Sequence, residues 1–567
     1  MNGPKTLLIG LDGGTFTVLD ALAAEGVIPN LAKLMRDGAR GVLRSTVPPI
    51  SAPAWATFQT GKHPGKHGLF NFFDLSEGGY RQSHDFRSSR VVNHSNIGSA
   101  TLYDYLREGG RKVISVNVPL TYPTPEVEGC VVACWLTPPG SGAFTHPREL
   151  AAELPDYRID QNFGEGMYAV TPRGKELDSD YLFDDLEDIL RRRADAAEYL
   201  LTSKPWDLGL ICFTETDRVH HYFWRAFDPA RKGGGATAEH ERERFRAFYR
   251  ELDARVGRLM AAAGAAANTL VVSDHGFDSP PPRRYHLSHW MREQGWLTTR
   301  PATGAEGETG AEAPAAPSPA MQGSAFRAAR AVWRALVPSA LRERVYAGTG
   351  YAPQRLEVDW ERTRAWSFGV NNNLGAVCVN VREEGTGCVE PGAETERLVD
   401  EIAEGLKRLT DPATGAPVVR QVMRREEVFA GPYVERFPHL LVLLDPGFEA
   451  DVESGYALGP ERIEAGPIYP NGRGNHRPEG ICIAAGPDIV PGPKAEQSLA
   501  SVMPTLLHLC GLAVPPDLDG AVMAEYLTPE ALGRGAGAGE AAEHRFAEPS
   551  DEDVRLLQEK LKHLGYM

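Results

Sequence analysis

Short apolar runs that stop on an acidic or hydroxyl-bearing residue recur along this chain, and they constrain its fold more than any other feature. Leu7-Leu8-Ile9-Gly10-Leu11 stops at Asp12, Leu208–Phe213 runs into Thr214-Glu215-Thr216-Asp217, and Thr269–Val272 stops at Ser273-Asp274-His275. Lys112–Val118 stops at Pro119, Leu440–Leu444 at Asp445, and Gly480–Ala484 follows His476. Continuous apolar runs of this length read as strands buried on both faces, the habit of parallel sheets. Helical segments fall between them. Ala21, Leu31, Leu34 and Met35 belong to a stretch ending at Gly38, and Tyr181–Leu201 sets Leu and Tyr among dense charge. The alternation predicts an α/β fold with a mostly parallel central sheet flanked by helices. In such sheets ligands gather beyond the carboxyl ends of the strands, where three of these runs place acidic residues or histidines.

At 567 residues the chain exceeds one small core and suits a large domain with insertions. Residues 301–325, rich in Ala, Gly, Pro, Glu and Ser, read as a disordered linker. Residues 326–365, with a helical stretch from Phe326 to Tyr351, read as a helical cap insertion. On that division residues 1–300 and 366–530 are the two parts of the core. Residues 531–567 are then a flexible linker, marked by the Gly/Ala-rich Gly533–Ala542, and a terminal helix. Val554, Leu557, Leu561 and Leu564 fall at helical spacing, so that helix is expected to dock on the body.

A net charge of −16 argues against a nucleic-acid partner, which needs a basic stripe. It leaves room for an anionic substrate, because bound metal ions reverse the local field inside a cleft. Seven cysteines with no C-x-x-C pair, Cys212 and Cys482 lying inside apolar runs, point to free buried thiols and a reducing compartment. The run Thr6–Leu11 is too short for a signal-peptide core, and no apolar stretch approaches the roughly 20 residues of a membrane span. A cytoplasmic protein without a membrane partner is expected, and its oligomeric state is not legible.

Seven scattered residues have side chains suited to two cations and a nucleophile: Asp12, Ser51, Asp217, His221, Asp274, His275 and His476. Three carboxylates, three imidazoles and one hydroxyl are the donors that a pair of Zn²⁺-type ions beside an activated alcohol would need. Asp217 and His221 are four apart, which on a helix puts both on one face. Asp274-His275-Gly276 offers two adjacent donors and a residue that turns sharply, and His476 closes the flexible stretch Asn471-Gly472-Arg473-Gly474-Asn475. Ser51 has Pro53 two residues on, a helix-start signature. Such a serine is most often a plain N-cap; its other use is to present its hydroxyl, with the amides of the next turn, to a phosphate. His220 is expected to be structural or to support the ligands from behind, and nothing assigns Asp278 a role.

Taken in order, several stretches resemble the type I phosphodiesterase/nucleotide pyrophosphatase branch of the alkaline phosphatase superfamily. They are Gly10-Leu11-Asp12-Gly13, Pro49–Gly61 with Thr57 and Thr60-Gly61, Pro64–Gly68, Asp217–His221, Ser273–Phe277 and Gly474–Pro487. The closing Leu512–Gly520 and Leu564-Gly565-Tyr566 are similar too, and the resemblance spans residues 5–525 apart from the 301–325 insertion. It implies an alkaline phosphatase-like fold and hydrolysis of a small phosphoester, either a phosphodiester or a nucleotide pyrophosphate. It further implies that Asp12, Ser51, Asp274 and His275 hold one divalent metal ion and Asp217, His221 and His476 a second. Zn²⁺ is the expected ion, with Mn²⁺ and Fe²⁺ compatible with these donors. The family nucleophile is a Thr or Ser and the match falls on Ser51, which implies a phosphoseryl intermediate. A family Asn that contacts phosphate follows the His-Gly pair matched by His67-Gly68. Asn71 lies one place from that register, with Phe72 at the expected position.

Three other readings stand beside this one. A sulfatase carries Cys or Ser followed by x-Pro-x-Arg, whereas Ser51-Ala52-Pro53-Ala54-Trp55 has Trp where the Arg belongs. A phosphomonoesterase or phosphonate hydrolase of the superfamily is a second alternative. A metal-binding scaffold without turnover would be marked by a lost ligand, and all seven positions are filled.

Overall fold

Five strands run parallel at the centre of the fold. Thr6–Leu11 lies between Leu208–Phe213 and Asn268–Val272, and Val113–Val116 joins Leu208–Phe213 to Gly129–Val132. Every residue of Thr6–Leu11 and Leu208–Phe213 is buried, which is why these stretches read as unbroken apolar runs rather than alternating ones. The computed structural model describes residues 3–73, 91–160, 168–171, 174–228, 236–301, 356–382, 387–450, 463–465, 474–546 and 548–563. All of the predicted linker after Pro301 and most of the predicted cap, residues 302–355, lie outside the described residues.

Successive side chains of the central strand leave by opposite faces and seed two apolar layers. Leu7, Ile9 and Leu11 pack with residues of the helices Phe16–Ala24, Pro29–Asp37, Ser179–Ser203 and Ala236–Ala263. Leu8 joins Trp55 and Phe58 of the helix Ser51–Thr60, together with the helices Leu102–Glu108 and Val502–Leu509. The long helix Ser179–Ser203 shows how local chemistry sets an element. Asp178 caps it by accepting from the Tyr181 amide, and Leu182, Leu186, Ile189 and Leu190 form its buried stripe. The segment ending at Gly38 is two helices rather than one, separated before Pro29, which starts the second.

Two of the apolar runs differ from the parallel reading. Glu479–Ala485 joins the central sheet antiparallel to Asn268–Val272 and to Ala39–Arg44. Leu440–Leu444 belongs to a separate four-stranded antiparallel sheet with Ala365–Asn371, Leu374–Val379 and Val419–Arg424. Apolar continuity reports burial on both faces and is blind to strand direction, which the connections decide. Leu440, Val442 and Leu444 pack with Trp290 and Ile402 in the core of that smaller sheet, so the run is apolar for the ordinary reason.

The helix Asp551–His563 places Leu557, 3% exposed, in an apolar cluster with Phe72 and Trp135. The side chain of Leu561 and all of Leu564 lie outside the described residues. No helix among the described residues is long and apolar enough to cross a membrane. All seven cysteines are free, and six of them are buried.

Candidate active site

Four connections deliver the candidate side chains to one place. Asp12 follows Thr6–Leu11, the helix Glu215–Phe227 that carries Asp217 and His221 follows Leu208–Phe213, and Asp274-His275 follows Asn268–Val272. All three lie at the carboxyl ends of adjacent parallel strands. The fourth is a short antiparallel pairing of Gly276–Asp278 with Asn475–Arg477, in which Phe277 faces His476. That register brings His476 against His275, their rings stacked with centroids 3.8 Å apart.

Ser51 is the first residue of its helix, and the N-cap is Ile50, with no side-chain cap bond. The plain N-cap use of this serine is therefore not what the fold shows. Its Oγ, 6% exposed as a residue, lies 3.4 Å from Asp12 Oδ1 and 3.2 Å from His275 Nε2. Pro53 has no amide hydrogen, and the amides of Ser51 and Ala52 have no carbonyl partner among the described residues.

All seven candidates converge. His275 Nε2 is 3.6 Å from Asp12 Oδ1, 3.3 Å from Asp274 Oδ2 and 4.0 Å from Asp217 Oδ1. Asp217 Oδ1 is also 3.5 Å from His221 Nε2 and 3.3 Å from His476 Nε2, and those two ring nitrogens are 2.9 Å apart. Two donor triads result, Asp12–Asp274–His275 and Asp217–His275–His476, with ligand atoms within 4.8 Å of one another. His275 stands in both, between the two groups that the family resemblance would separate.

Hydrogen bonds to the far side of each ring decide what the near side offers. His275 Nδ1 donates to the Gly276 carbonyl and His476 Nδ1 to the Pro49 carbonyl, so each ring turns its Nε2 toward the carboxylates. Asp217 Oδ1 and Asp274 Oδ2 are buried without a hydrogen-bond partner among the described residues. Carboxylate oxygens and ring nitrogens crowded this closely in a water-poor centre are suited to hold cations. The donor set therefore fits two divalent ions held by imidazole and carboxylate.

The titration behaviour has the same origin. Burial, reinforced by Asp274 and Asp217, pushes Asp12 well above the usual carboxylate range. Asp274 is pushed up to about 7, first by burial and then by Asp217, against the opposing Gly13 amide. Burial also opposes ionisation of Asp217, but the neighbouring His221, His476 and His275 outweigh it and hold that carboxyl below its usual value. Burial, then His476, holds His275 well below the usual imidazole range. Carboxylates pressed against one another in this way are what bound cations neutralise.

Several supporting residues escaped the sequence reading. Trp55 Nε1 donates to Asp12 Oδ2 at 3.0 Å, Thr216 Oγ1 to the Asp12 carbonyl at 2.6 Å, and the Gly13 amide to Asp274 Oδ1 at 3.1 Å. Trp55 was legible in principle, since it lies four residues after Ser51 and so on the same helix face. His220 Nδ1 donates to the Gly13 carbonyl and its Nε2 accepts from the Tyr249 hydroxyl at 2.6 Å. Asp278 lies beside Arg477 at 3.3 Å. Asn71 Oδ1 accepts from the Phe72 amide at 2.7 Å, and no bond among the described residues joins its side chain to the seven-residue cluster.

Gly10 supplies a direct test of the Trp55 contact. A Cβ there would lie 2.7 Å from the Trp55 ring and 3.2 Å from Cys212 Sγ. Gly10→Ala should lower stability by about 1–3 kcal/mol through overpacking. It should also weaken metal retention, because the displaced indole no longer holds Asp12. A denaturant midpoint equal to wild type would refute the tight contact.

The sequence matches the family described as Type I phosphodiesterase / nucleotide pyrophosphatase over residues 6–466. The chain belongs to that family. Its phosphodiesterase-family membership makes it a phosphoester hydrolase of metal-dependent type, and His476 lies beyond the matched span, brought to the site by its pairing with Phe277. Among solved structures, it is similar to phosphonoacetate hydrolase from Sinorhizobium meliloti 1021 in complex with phosphonoformate. That similarity has a TM-score of 0.50 and 14% identity, covering 88% of this chain and 94% of that one. The same enzyme in complex with phosphonoacetate gives the same values. Human ectonucleotide pyrophosphatase/phosphodiesterase 5 matches with a TM-score of 0.47 and 14% identity, covering 91% of this chain and 97% of that one. No curated protein sequence matches this phosphodiesterase-family chain significantly. The structural likeness to phosphonoacetate hydrolase establishes the alkaline phosphatase-like fold of this family member.

Proposed function

We propose that this protein hydrolyses phosphodiesters or nucleotide pyrophosphates through a phosphoseryl intermediate on Ser51. The observation that carries the reading is the buried Ser51 hydroxyl set at a helix start, beside two donor triads that share His275. Asp12, Ser51, Asp274 and His275 would serve one cation and Asp217, His221 and His476 the other, with His275 able to reach toward both. When bound, the cations supply Lewis acidity, lowering the pKa of the serine hydroxyl and neutralising charge on the phosphoryl oxygens.

The chain's own residues account for the rest. The Ser51 hydroxyl is within reach of Asp12 Oδ1, so an acceptor stands beside the nucleophile before attack. Oγ attacks phosphorus as the ester oxygen leaves on the opposite side, and water then breaks the Oγ–P bond and restores the serine. The amides of Ser51 and Ala52, which have no carbonyl partner among the described residues, lie at the positive end of the helix Ser51–Thr60 and would stabilise charge on the transferring group. Trp55, where a sulfatase has arginine, is committed to Asp12, which disfavours the sulfatase reading. Zn²⁺ is the ion we expect, from the imidazole and carboxylate donors. The free, mostly buried thiols and the net charge of −16 support a cytoplasmic enzyme acting on small molecules rather than nucleic acid.

A substrate panel on metal-analysed protein tests the reading. Bis-nitrophenyl phosphate and a nucleoside 5′-monophosphate nitrophenyl ester should turn over at rates at least about tenfold above nitrophenyl phosphate, phosphonoacetate and nitrophenyl sulfate. Chelation should abolish the activity and Zn²⁺ restore it. Preferential sulfate hydrolysis, or activity indifferent to chelation, would overturn the proposal.

A further inference from the structure

A turn of the smaller antiparallel sheet reaches the candidate centre. Asn371 ends its strand Ala365–Asn371, and Asn372 and Asn373 turn into Leu374–Val379. Asn371 Nδ2 donates to the Pro49 carbonyl at 3.4 Å, the same carbonyl that accepts from His476 Nδ1 at 3.1 Å. Asn372 Nδ2 donates to the His476 carbonyl at 3.3 Å. Pro49 is two residues before Ser51, so the nucleophile's loop, His476 and the turn of a different sheet meet around one carbonyl oxygen.

Asn372 is unusual in two further respects. It is 3% exposed with its Oδ1 buried and unpartnered among the described residues, and its φ is +48°. The left-handed region is costly for most side chains but open to asparagine, whose short amide can also bond locally. Asn373, the next residue, turns away: its Nδ2 donates to the Leu444 carbonyl inside the small sheet at 2.9 Å. Two of three adjacent asparagines therefore face the centre and the third faces its own sheet.

We infer that Asn371 and Asn372 are positioning residues that set the reach of His476 and of the Ser51 loop, so that the small sheet tunes the second cation site. This rests on the two-cation reading above. The Pro49 carbonyl fixes the His476 tautomer through Nδ1, and Asn371 holds that carbonyl in place. Asn372 holds the backbone on the other side of the same ring. Partners of this kind orient a ligand imidazole without touching the metal, and losing them typically weakens metal affinity by about 10–100-fold.

The test is Zn²⁺ titration of the full chain against a competing chelator, with thermal midpoints recorded on the same samples. Wild type should bind two equivalents. Asn371→Ala and Asn372→Gly should each weaken one of the two sites by about tenfold or more and leave the other near wild type. Glycine is chosen at 372 because it accepts the positive φ, and Asn371→Ser provides a milder change should Asn371→Ala fold poorly. Asn373→Ala, which breaks only the bond within the small sheet, should lower the thermal midpoint and leave both affinities within about twofold of wild type. Equal affinities in the Asn371 and Asn372 variants and wild type would overturn the inference, as would an equal loss in Asn373→Ala. A wild-type chain that binds fewer than two equivalents would overturn the two-cation reading and this inference with it.

Discussion

Ser51→Ala should lower phosphodiester turnover by about 10⁴-fold or more, the loss expected when a covalent nucleophile is removed, and should leave metal content intact. The expectation rests on what Ser51 does and does not support. Its side chain makes no N-cap bond, so alanine at the first helical position removes no local support. Both donor triads consist of Asp and His alone, so each survives the change. What disappears is the hydroxyl that bridges Asp12 and His275. Ser51→Thr keeps an oxygen nucleophile and should retain measurable turnover despite an added methyl in a site that is 6% exposed. Metal analysis, stopped assays and acid-quench trapping of phosphoenzyme on wild type would check this. Turnover of Ser51→Ala within tenfold of wild type would remove Ser51 from the chemistry. Loss of both cations in the variant would recast its role as structural.

The placement of the site was legible because parallel strands announce themselves twice. A run such as Leu7–Leu11 must be apolar to be buried on both faces, and the residue after it, Asp12, must leave the sheet at the end where ligands collect. The same logic exposes Asp274-His275. Asp217 and His221 add the helical four-residue spacing to that logic. His476 has no such signal. It lies in a stretch of Asn, Gly and Arg, and only the register Phe277 opposite His476, a long-range pairing, gives it a place. Family resemblance supplied what local pattern could not.

The features that stayed hidden share one cause: they depend on which surfaces meet. Glu479–Ala485 and Leu440–Leu444 are equally apolar, yet one enters the central sheet and the other the small one. Three consecutive asparagines read as a turn anywhere, and nothing local says that two of them reach Pro49 and His476. Trp55 read as an obstacle to a sulfatase assignment, whereas its indole is a donor to Asp12. In each case the residue type was visible and its partner was not.

Acid should unfold this protein at a pH above the range in which ordinary carboxylates titrate, and more steeply with metal bound than without. Burial is the leading cause that holds His67 and His220 down to about 3 and His94 down to about 4. Each needs a neutral ring. His67 Nδ1 accepts from the Leu69 amide, His220 Nε2 accepts from Tyr249, and His94 Nε2 is buried without a partner among the described residues. The unfolded chain takes up these protons below about pH 6.5 and the folded one does not. Their contribution is therefore fully present above that pH and is lost as pH falls toward the folded values. By pH 5 each costs about 2 kcal/mol, and the three together about 6 kcal/mol, comparable with the roughly 5–15 kcal/mol stability of a typical domain. Asp12 and Asp274 act with the opposite sign when no cation is present. Their folded pKa values are raised, so their stabilisation is complete below the ordinary carboxylate pKa and is lost as pH rises through the folded values, about 7 for Asp274. Without metal they return part of what the histidines lose on acidification; with metal they stay ionised and return nothing. Denaturant midpoints at pH 7.5, 6 and 5, with Zn²⁺ and with chelator, should show the steeper fall in the Zn²⁺ series. A flat metal-loaded profile over that window would show that the buried rings accept protons where they stand, and a chelated profile as steep as the loaded one would show that Asp12 and Asp274 do not repel one another in the empty site.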